Sequence, residues 1–316
     1  MIVFSRKLAE SYQDRLKGKF PNENFIYCDT MEEVNTYIRD TEVYVTFGSD
    51  INEEFIKKAV SLKWIHVLSA GVDNLPFASI RERGIRVTNV RGIHKTQMSE
   101  YAISMLLQVY RQEKSVIKNE ENQVWDNQGI SLREITGKTM VVVGTGAIGS
   151  EVARLGKAFG MYTIGVSRSG KKVEHFNENY KISELNQALS LADFVISVLP
   201  STKETKDIFK YEQFKAMPNR AVFLNMGRGD AVMEEDLLAA IRAGEIEHAI
   251  LDVVKEEPLP KGHPFWTEET ITITPHISGV SPEYTNRALD IFEENLQVFR
   301  RNGDNYINPI DLTRGY

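Results

Sequence analysis

The sequence predicts an α/β protein made of two doubly wound parallel sheets. Three observations carry that reading. Short apolar runs alternate with helix-like stretches along most of the chain, which calls for parallel strands joined by right-handed crossovers. A helix that is apolar on nearly all sides, 97–110 (QMSEYAISMLLQVY), divides the alternation into two systems. The second system opens on a strand, a G-x-G-x-x-G turn and a helix, and 316 residues are enough for two domains with proper cores.

In the first system the strand-like runs are Ile2 to Phe4, Asn24 to Tyr27, Val43 to Phe47, Trp64 to Leu68 and Arg86 to Val90, with helical patterns such as Leu8 to Lys17 and Glu53 to Val60 between them. Functional loops of such a sheet lie at the carboxyl ends of its strands. Two loops qualify: Phe47-Gly48-Ser49, and Ser69-Ala70-Gly71-Val72-Asp73, where a glycine lets backbone approach a small anion or merely makes a turn. From the apolar helix to Gly137 the chain is polar and reads as irregular, with Trp125 as a lone anchor. The buried-looking helix belongs in a domain junction or a subunit interface.

The glycine loop follows Met140 to Val143, and an amphipathic run continues to Phe159. Gly144 permits the tight turn, Gly146 lets backbone N–H groups near a pyrophosphate, and Gly149 lets helix and strand pack closely, with Thr145, Ala147 and Ile148 completing the loop. A helix starting there offers unpaired donors and a positive dipole end to phosphates. The next strand, Tyr162 to Val166, completes a βαβ unit of the dinucleotide-binding type. It ends on Ser167-Arg168-Ser169 rather than on the acid that grips a free ribose 2′-hydroxyl, and no carboxylate follows until Glu174. A guanidinium flanked by hydroxyls suits a 2′-phosphate, so NADP(H) is favoured, with NAD(H) possible. Further strands are read at Phe194 to Val198, Ala221 to Asn225, His248 to Val253 and Thr270 to Ile273, with helices between, one capped by Ser183 and one from Glu234 to Ala243. A long helix, Pro282 to Arg301, comes last.

Charge is balanced at 38 basic against 44 acidic residues, net −6, with both signs spread along the chain, which argues against nucleic acid as a partner. No apolar run reaches membrane-spanning length. The single cysteine, Cys28, excludes an internal disulfide and a cysteine-rich zinc site, no metal site is expected, and a cytoplasmic setting fits.

Three segments just beyond apolar strands offer an arginine, carboxylates and a histidine: 225–229 (NMGRG), 251–258 (LDVVKEEP) and 274–279 (TPHISG). Each alone reads equally as surface charge or packing. Taken together with SAGVDNLP, NVRGIHKTQMSEYAISMLL, GKTMVVVGTGAIG and LPSTKET in the same order, they resemble the NAD(P)-dependent D-isomer-specific 2-hydroxyacid dehydrogenase family, and most closely its glyoxylate and hydroxypyruvate reductase branch. Spacings agree too, with 29 positions from Arg228 to Glu257 and 19 from Glu257 to His276.

The resemblance implies a Rossmann cofactor domain (98–283) and a smaller flavodoxin-like substrate domain that is discontinuous (1–97 plus 284–316), with a cleft between them that closes over a small 2-oxo or 2-hydroxy acid. It implies hydride transfer from the nicotinamide to C2 of the 2-oxo acid, with Arg228 gripping carboxylate and carbonyl oxygens, His276 giving the proton, and Glu257 orienting the imidazole. Gly71 and Val72, with Phe47 and Ala70 beside them, are implied in substrate binding. Leu199, Pro200, Thr205, Met226, Asp252 and Gly279, with Arg228 and His276, are implied in cofactor binding; Asp252 also reads as a turn residue. A homodimer through 97–137 is implied as well. Arg91 and His94 read as structural. Other substrates (formate, phosphite, 3-phosphoglycerate, a bulkier D-2-hydroxy acid) remain open on the same fold, as does a nicotinamide-sensing corepressor.

Overall fold

The computed structural model describes residues 1–72 and 74–313; Asp73 and the last three residues, part of the segments read above, lie outside the described residues. The chain divides into two compact units, Met1–Ile93 with the chain from Pro282 onward, and His94–Ser281. The division falls before 97 because His94 already belongs to the helix that follows, its carbonyl accepting the Met98 N–H at 3.1 Å.

The first unit runs β1 (Ile2–Phe4), α1 (Glu10–Lys19), β2 (Phe25–Tyr27), α2 (Met31–Tyr37), β3 (Val43–Thr46), α3 (Glu53–Lys58), β4 (Trp64–Val67), α4 (Phe77–Glu82) and β5 (Arg86–Asn89). Its parallel sheet has the order β2-β1-β3-β4-β5. The second unit holds α5 (Lys95–Tyr110), α6 (Glu113–Glu121), β6 (Thr139–Val143), α7 (Ala147–Ala158), β7 (Tyr162–Ser167), β8 (Glu178–Lys181), α8 (Leu185–Leu189), β9 (Phe194–Ser197), α9 (Tyr211–Lys215), β10 (Val222–Asn225), α10 (Glu234–Ala243), β11 (His248–Leu251) and β12 (Ile271–Ile273). Its parallel sheet runs β12-β11-β10-β9-β6-β7-β8. The chain ends on α11 (Tyr284–Arg300), which returns to the first unit.

Apart from the edge strands β2 and β8, the strands of both sheets are largely buried on two faces, which is why they read as apolar runs rather than as alternations. In the first unit Trp64 stacks on Phe292 of α11, ring centroids 5.6 Å apart, and Ile2, Phe4, Val43 and Val45 join the same cluster. In the second, α5 buries Met98, Ala102, Leu106 and Tyr110 in the cluster that covers β6, β9 and β10.

Two expectations are corrected. The stretch after α5 is not irregular throughout: Gln112 turns the chain through a left-handed residue (φ +50°) into α6, none of whose residues is buried. Arg133 then brings the chain back, stacked over Tyr110 at 4.0 Å and paired with Glu247. Ser183 is not a helix cap but sits inside a 3-10 turn, where the Glu184 carboxylate instead accepts the Lys181 N–H at 2.8 Å. Just before that turn lies a polar edge strand, β8, in a stretch where the sequence reading placed no strand. Among the described residues no helix is long and apolar enough to cross a membrane.

Candidate functional site

The glycine loop has the shape its spacing asks for. Gly144 lies at φ +110°, and a Cβ there would come within 3.0 Å of the Val198 carbonyl oxygen. A Cβ on Gly149 would collide with the Gly144 carbonyl oxygen, so that position is closed by the fold itself. At Gly146, which caps α7, a Cβ would meet nothing within 4 Å. Its space is open, so the absent side chain is room in front of the helix N-terminus where donors point at an anion. These residues therefore fit a dinucleotide pyrophosphate.

Beyond β7, Ser167 Oγ accepts the Gly170 N–H at 3.2 Å, which leaves its own O–H to donate. Arg168 and Ser169 are exposed. Glu204, not singled out by the sequence reading, faces this loop: hydrogen bonds from its own N–H and from Thr202 hold its carboxyl below the usual range, and the Arg168 charge adds to them. Thr205 folds the 200–205 loop, its Oγ1 donating to the Pro200 carbonyl at 2.6 Å. Leu199 is buried, Pro200 is exposed, and a Cβ on Gly227 would press on the Leu199 backbone at 2.6 Å.

The chemistry-bearing residues follow three neighbouring strands. At the end of β10, buried Asn225 holds the turn, its Nδ2 donating to the Arg228 carbonyl at 2.9 Å and its Oδ1 accepting from Gly227 N–H at 3.2 Å; Met226 beside it is buried. Arg228 is exposed, with Nη1 on the Gly227 carbonyl at 2.8 Å, and no ion pair holds it among the described residues. Gly229 packs so closely on Val254 that no side chain fits, which ties the Arg228 turn to the turn carrying Glu257. Glu234 braces the latter turn by accepting the Lys255 N–H at 2.8 Å. Beyond β12, His276 takes a left-handed backbone (φ +54°), and its Nδ1 lies 2.7 Å from Glu257 Oε2. A carboxylate only accepts, so the ring proton sits on Nδ1, and Nε2 is left for other chemistry. Burial and the Arg228 charge hold His94 below the usual imidazole range. Gly279 lies against it, a Cβ there coming within 3.2 Å of the ring.

Phe47, Ala70, Gly71 and Val72 belong to the first unit, after β3 and β4. Phe47, Gly48, Ser49, Ser69, Gly71 and Val72 line a pocket of about 160 Å³. The loops are braced: Asp50 accepts from Tyr44 Oη at 2.8 Å and from Thr46, and Asn89 Nδ2 donates to the Ala70 carbonyl at 2.6 Å. No described residue accepts from the N–H of Gly71 or Val72.

Comparison with known proteins gives this geometry its context. Residues 103–278, more than half of the chain, match the family model for D-isomer specific 2-hydroxyacid dehydrogenase, NAD binding domain. The chain belongs to that family. This dehydrogenase is 30% identical over 271 residues to a glyoxylate/hydroxypyruvate reductase A of Yersinia enterocolitica, covering 84% of this chain and 85% of that one. A solved D-isomer specific 2-hydroxyacid dehydrogenase family protein from Aeromonas salmonicida subsp. salmonicida matches with a TM-score of 0.87 at 33% identity over 98% of each chain. A structure from Rhizobium etli, described as a probable 2-hydroxyacid dehydrogenase in complex with NADP, HEPES and L(+)-tartaric acid, matches at 0.80 and 28% identity over 100% of this chain and 99% of that one. The enzyme is accordingly an NAD(P)-dependent 2-hydroxyacid dehydrogenase, and a nicotinamide dinucleotide is its cofactor.

Proposed function

We propose that the enzyme reduces a small 2-oxo acid, glyoxylate or hydroxypyruvate, to the D-2-hydroxy acid, with NADP(H) favoured over NAD(H). The observation that carries the reading is the 2.7 Å bond between His276 and Glu257, set on neighbouring strands with Arg228. The likeness to the Yersinia enterocolitica reductase supports the substrate class.

In this reading Arg228 binds the substrate carboxylate and the adjacent carbonyl oxygen through its planar fork. The amides of Gly71 and Val72 give the carboxylate a second hold, and Phe47 and Ala70 flank it. His276 Nε2 delivers a proton to the carbonyl oxygen while Glu257 fixes the ring through Nδ1. The bound nicotinamide supplies the hydride. Residues 144–149 hold the pyrophosphate, and Leu199, Pro200, Thr205, Met226, Asp252 and Gly279 border the cofactor. Ser167, Arg168 and Ser169 take the 2′-phosphate, a role supported by the missing acid at the end of β7 and by the NADP in the Rhizobium etli structure. We also propose a homodimer through residues 97–137 and a cytoplasmic location.

The test is the purified protein with glyoxylate or hydroxypyruvate and NADPH or NADH, following loss of reduced-nicotinamide absorbance. Faster oxidation of NADPH is expected, and His276→Ala is expected to lower kcat roughly 10²- to 10⁴-fold with little change in cofactor affinity. A higher efficiency with NADH would reject the 2′-phosphate site. Cofactor binding without turnover of either acid would shift the reading to another substrate or to a sensor.

A further inference from the structure

We propose that Tyr101, on α5, is a positioning residue for the acid, acting through Thr274 and Asp252 on the loop that carries His276. The inference rests on the reading of His276 as the proton donor.

Asp252, directly after β11, is 2% exposed and bonds almost wholly to one short loop. Its Oδ1 accepts from Thr274 Oγ1 at 2.6 Å and from the Ile277 N–H at 2.9 Å, and its Oδ2 accepts from the Ser278 N–H at 3.0 Å. Its backbone carbonyl accepts the His276 N–H at 2.9 Å. Bonds on both sides of His276 thus maintain a left-handed backbone that a non-glycine residue adopts only where its surroundings impose it.

The hydroxyl contact above Asp252 has one possible direction. Thr274 Oγ1 lies 2.7 Å from Tyr101 Oη, and either oxygen could in principle donate. Thr274 has a single proton, and the carboxylate at 2.6 Å can only accept, so that proton goes to Asp252. Tyr101 is therefore the donor, and the chain runs phenol to hydroxyl to carboxylate. One helical turn earlier, Gln97 Nε2 donates to the Gly279 carbonyl at 3.2 Å, so α5 holds the same loop at its other end. A shift of α5 would loosen the loop that orients His276 against Glu257.

The experiment is steady-state kinetics with hydroxypyruvate and NADPH on the whole chain, for Tyr101→Phe, Thr274→Ser, Thr274→Val, the Tyr101→Phe/Thr274→Val pair and His276→Ala. A linear relay predicts that Tyr101→Phe lowers kcat roughly 3- to 10-fold, with the KM for NADPH within about twofold. Thr274→Ser keeps both bonds and should stay near wild type. Thr274→Val should lose at least as much as Tyr101→Phe, and the pair no more than Thr274→Val alone, because the two groups act in series. Wild-type kcat in Tyr101→Phe, a loss confined to the KM for NADPH, or losses that multiply in the pair would each overturn the proposal. If Thr274→Val does not fold, Tyr101→Phe against Thr274→Ser decides. His276→Ala separates the two failures: a dead His276→Ala beside a normal Tyr101→Phe defeats only the relay, whereas an active His276→Ala removes the acid and the relay together.

Discussion

His66 stands on β4 with its ring fully buried, Nδ1 2.8 Å from the Thr88 hydroxyl and Nε2 without a partner among the described residues. Burial pushes its pKa down to about 3 from an ordinary 6.5. The folded chain therefore keeps the ring neutral across a window in which the unfolded chain takes up a proton. With more protons on the unfolded side, stability is complete above about pH 6.5 and falls as the pH drops toward 3, by on the order of 1.4 kcal/mol per pH unit. Urea unfolding at pH 7 and pH 4.5 should show this, and His66→Gln should shrink the difference between the two by roughly 2 kcal/mol. An unchanged difference would mean that the ring reaches water in the folded protein. His248, pushed to about 4 mainly by burial and also by the Lys114 charge, adds a second contribution of the same sign in the other unit.

Elements of the first unit are joined by a buried acid. Glu293 of α11 is 1% exposed and meets Arg15 Nε at 2.7 Å and Lys19 Nζ at 2.6 Å, both on α1. The two cations are far better hydrated, 30% and 45% exposed, so the pair is asymmetric. Removing the carboxylate leaves cations that water can still reach, whereas removing the cations strands a buried charge. Glu293→Gln should therefore cost about 1–2 kcal/mol and Arg15→Ala/Lys19→Ala about 3–5 kcal/mol, read from urea midpoints; equal losses would show that Glu293 finds solvent. The same contrast explains what could be read from the sequence. Strands such as β6 and β10 were legible because double-sided burial demands apolar runs, whereas Arg228, Glu257 and His276, each of which alone reads equally as surface charge or packing, were singled out only by the ordered motifs that resemble the family. α6 and β8 were missed because they bury little: a helix with no buried residue and a strand reading ENYK leave no hydrophobic period to find. The supports of the site were missed for another reason. Asn225, Glu234, Thr274 and Tyr101 act through hydrogen bonds that join chain segments distant in sequence or bond backbone to side chain, and neither leaves a pattern in residue order.

At the scale of the whole molecule, the four hydrophobic clusters each lie within one unit, so each unit has its own core. What neither core accounts for is the segment from α6 to Leu132. Val116, Ile117, Val124 and Leu132 are 44–52% exposed, and Trp125 is 97% exposed. Scattered apolar residues on a surface need no explanation, but five of them within 17 positions of the chain, one a nearly bare tryptophan, are more than scatter, and an interface would cover them. The segment is anchored on both sides, by α5 in the core and by Arg133 on Tyr110 and Glu247. A second copy of the chain is the occupant we propose, as the apolar α5 preceding it suggested from sequence. Sedimentation equilibrium should then give twice the mass of one chain, and Ile117→Glu/Trp125→Glu should give a single-chain mass while leaving the far-ultraviolet circular dichroism unchanged. In the wild type, dilution through the dissociation range should shift tryptophan emission to the red as Trp125 is returned to water. A single-chain mass for the wild type at the concentrations used in the assay would assign the segment to some other partner and would make each chain catalytically self-sufficient.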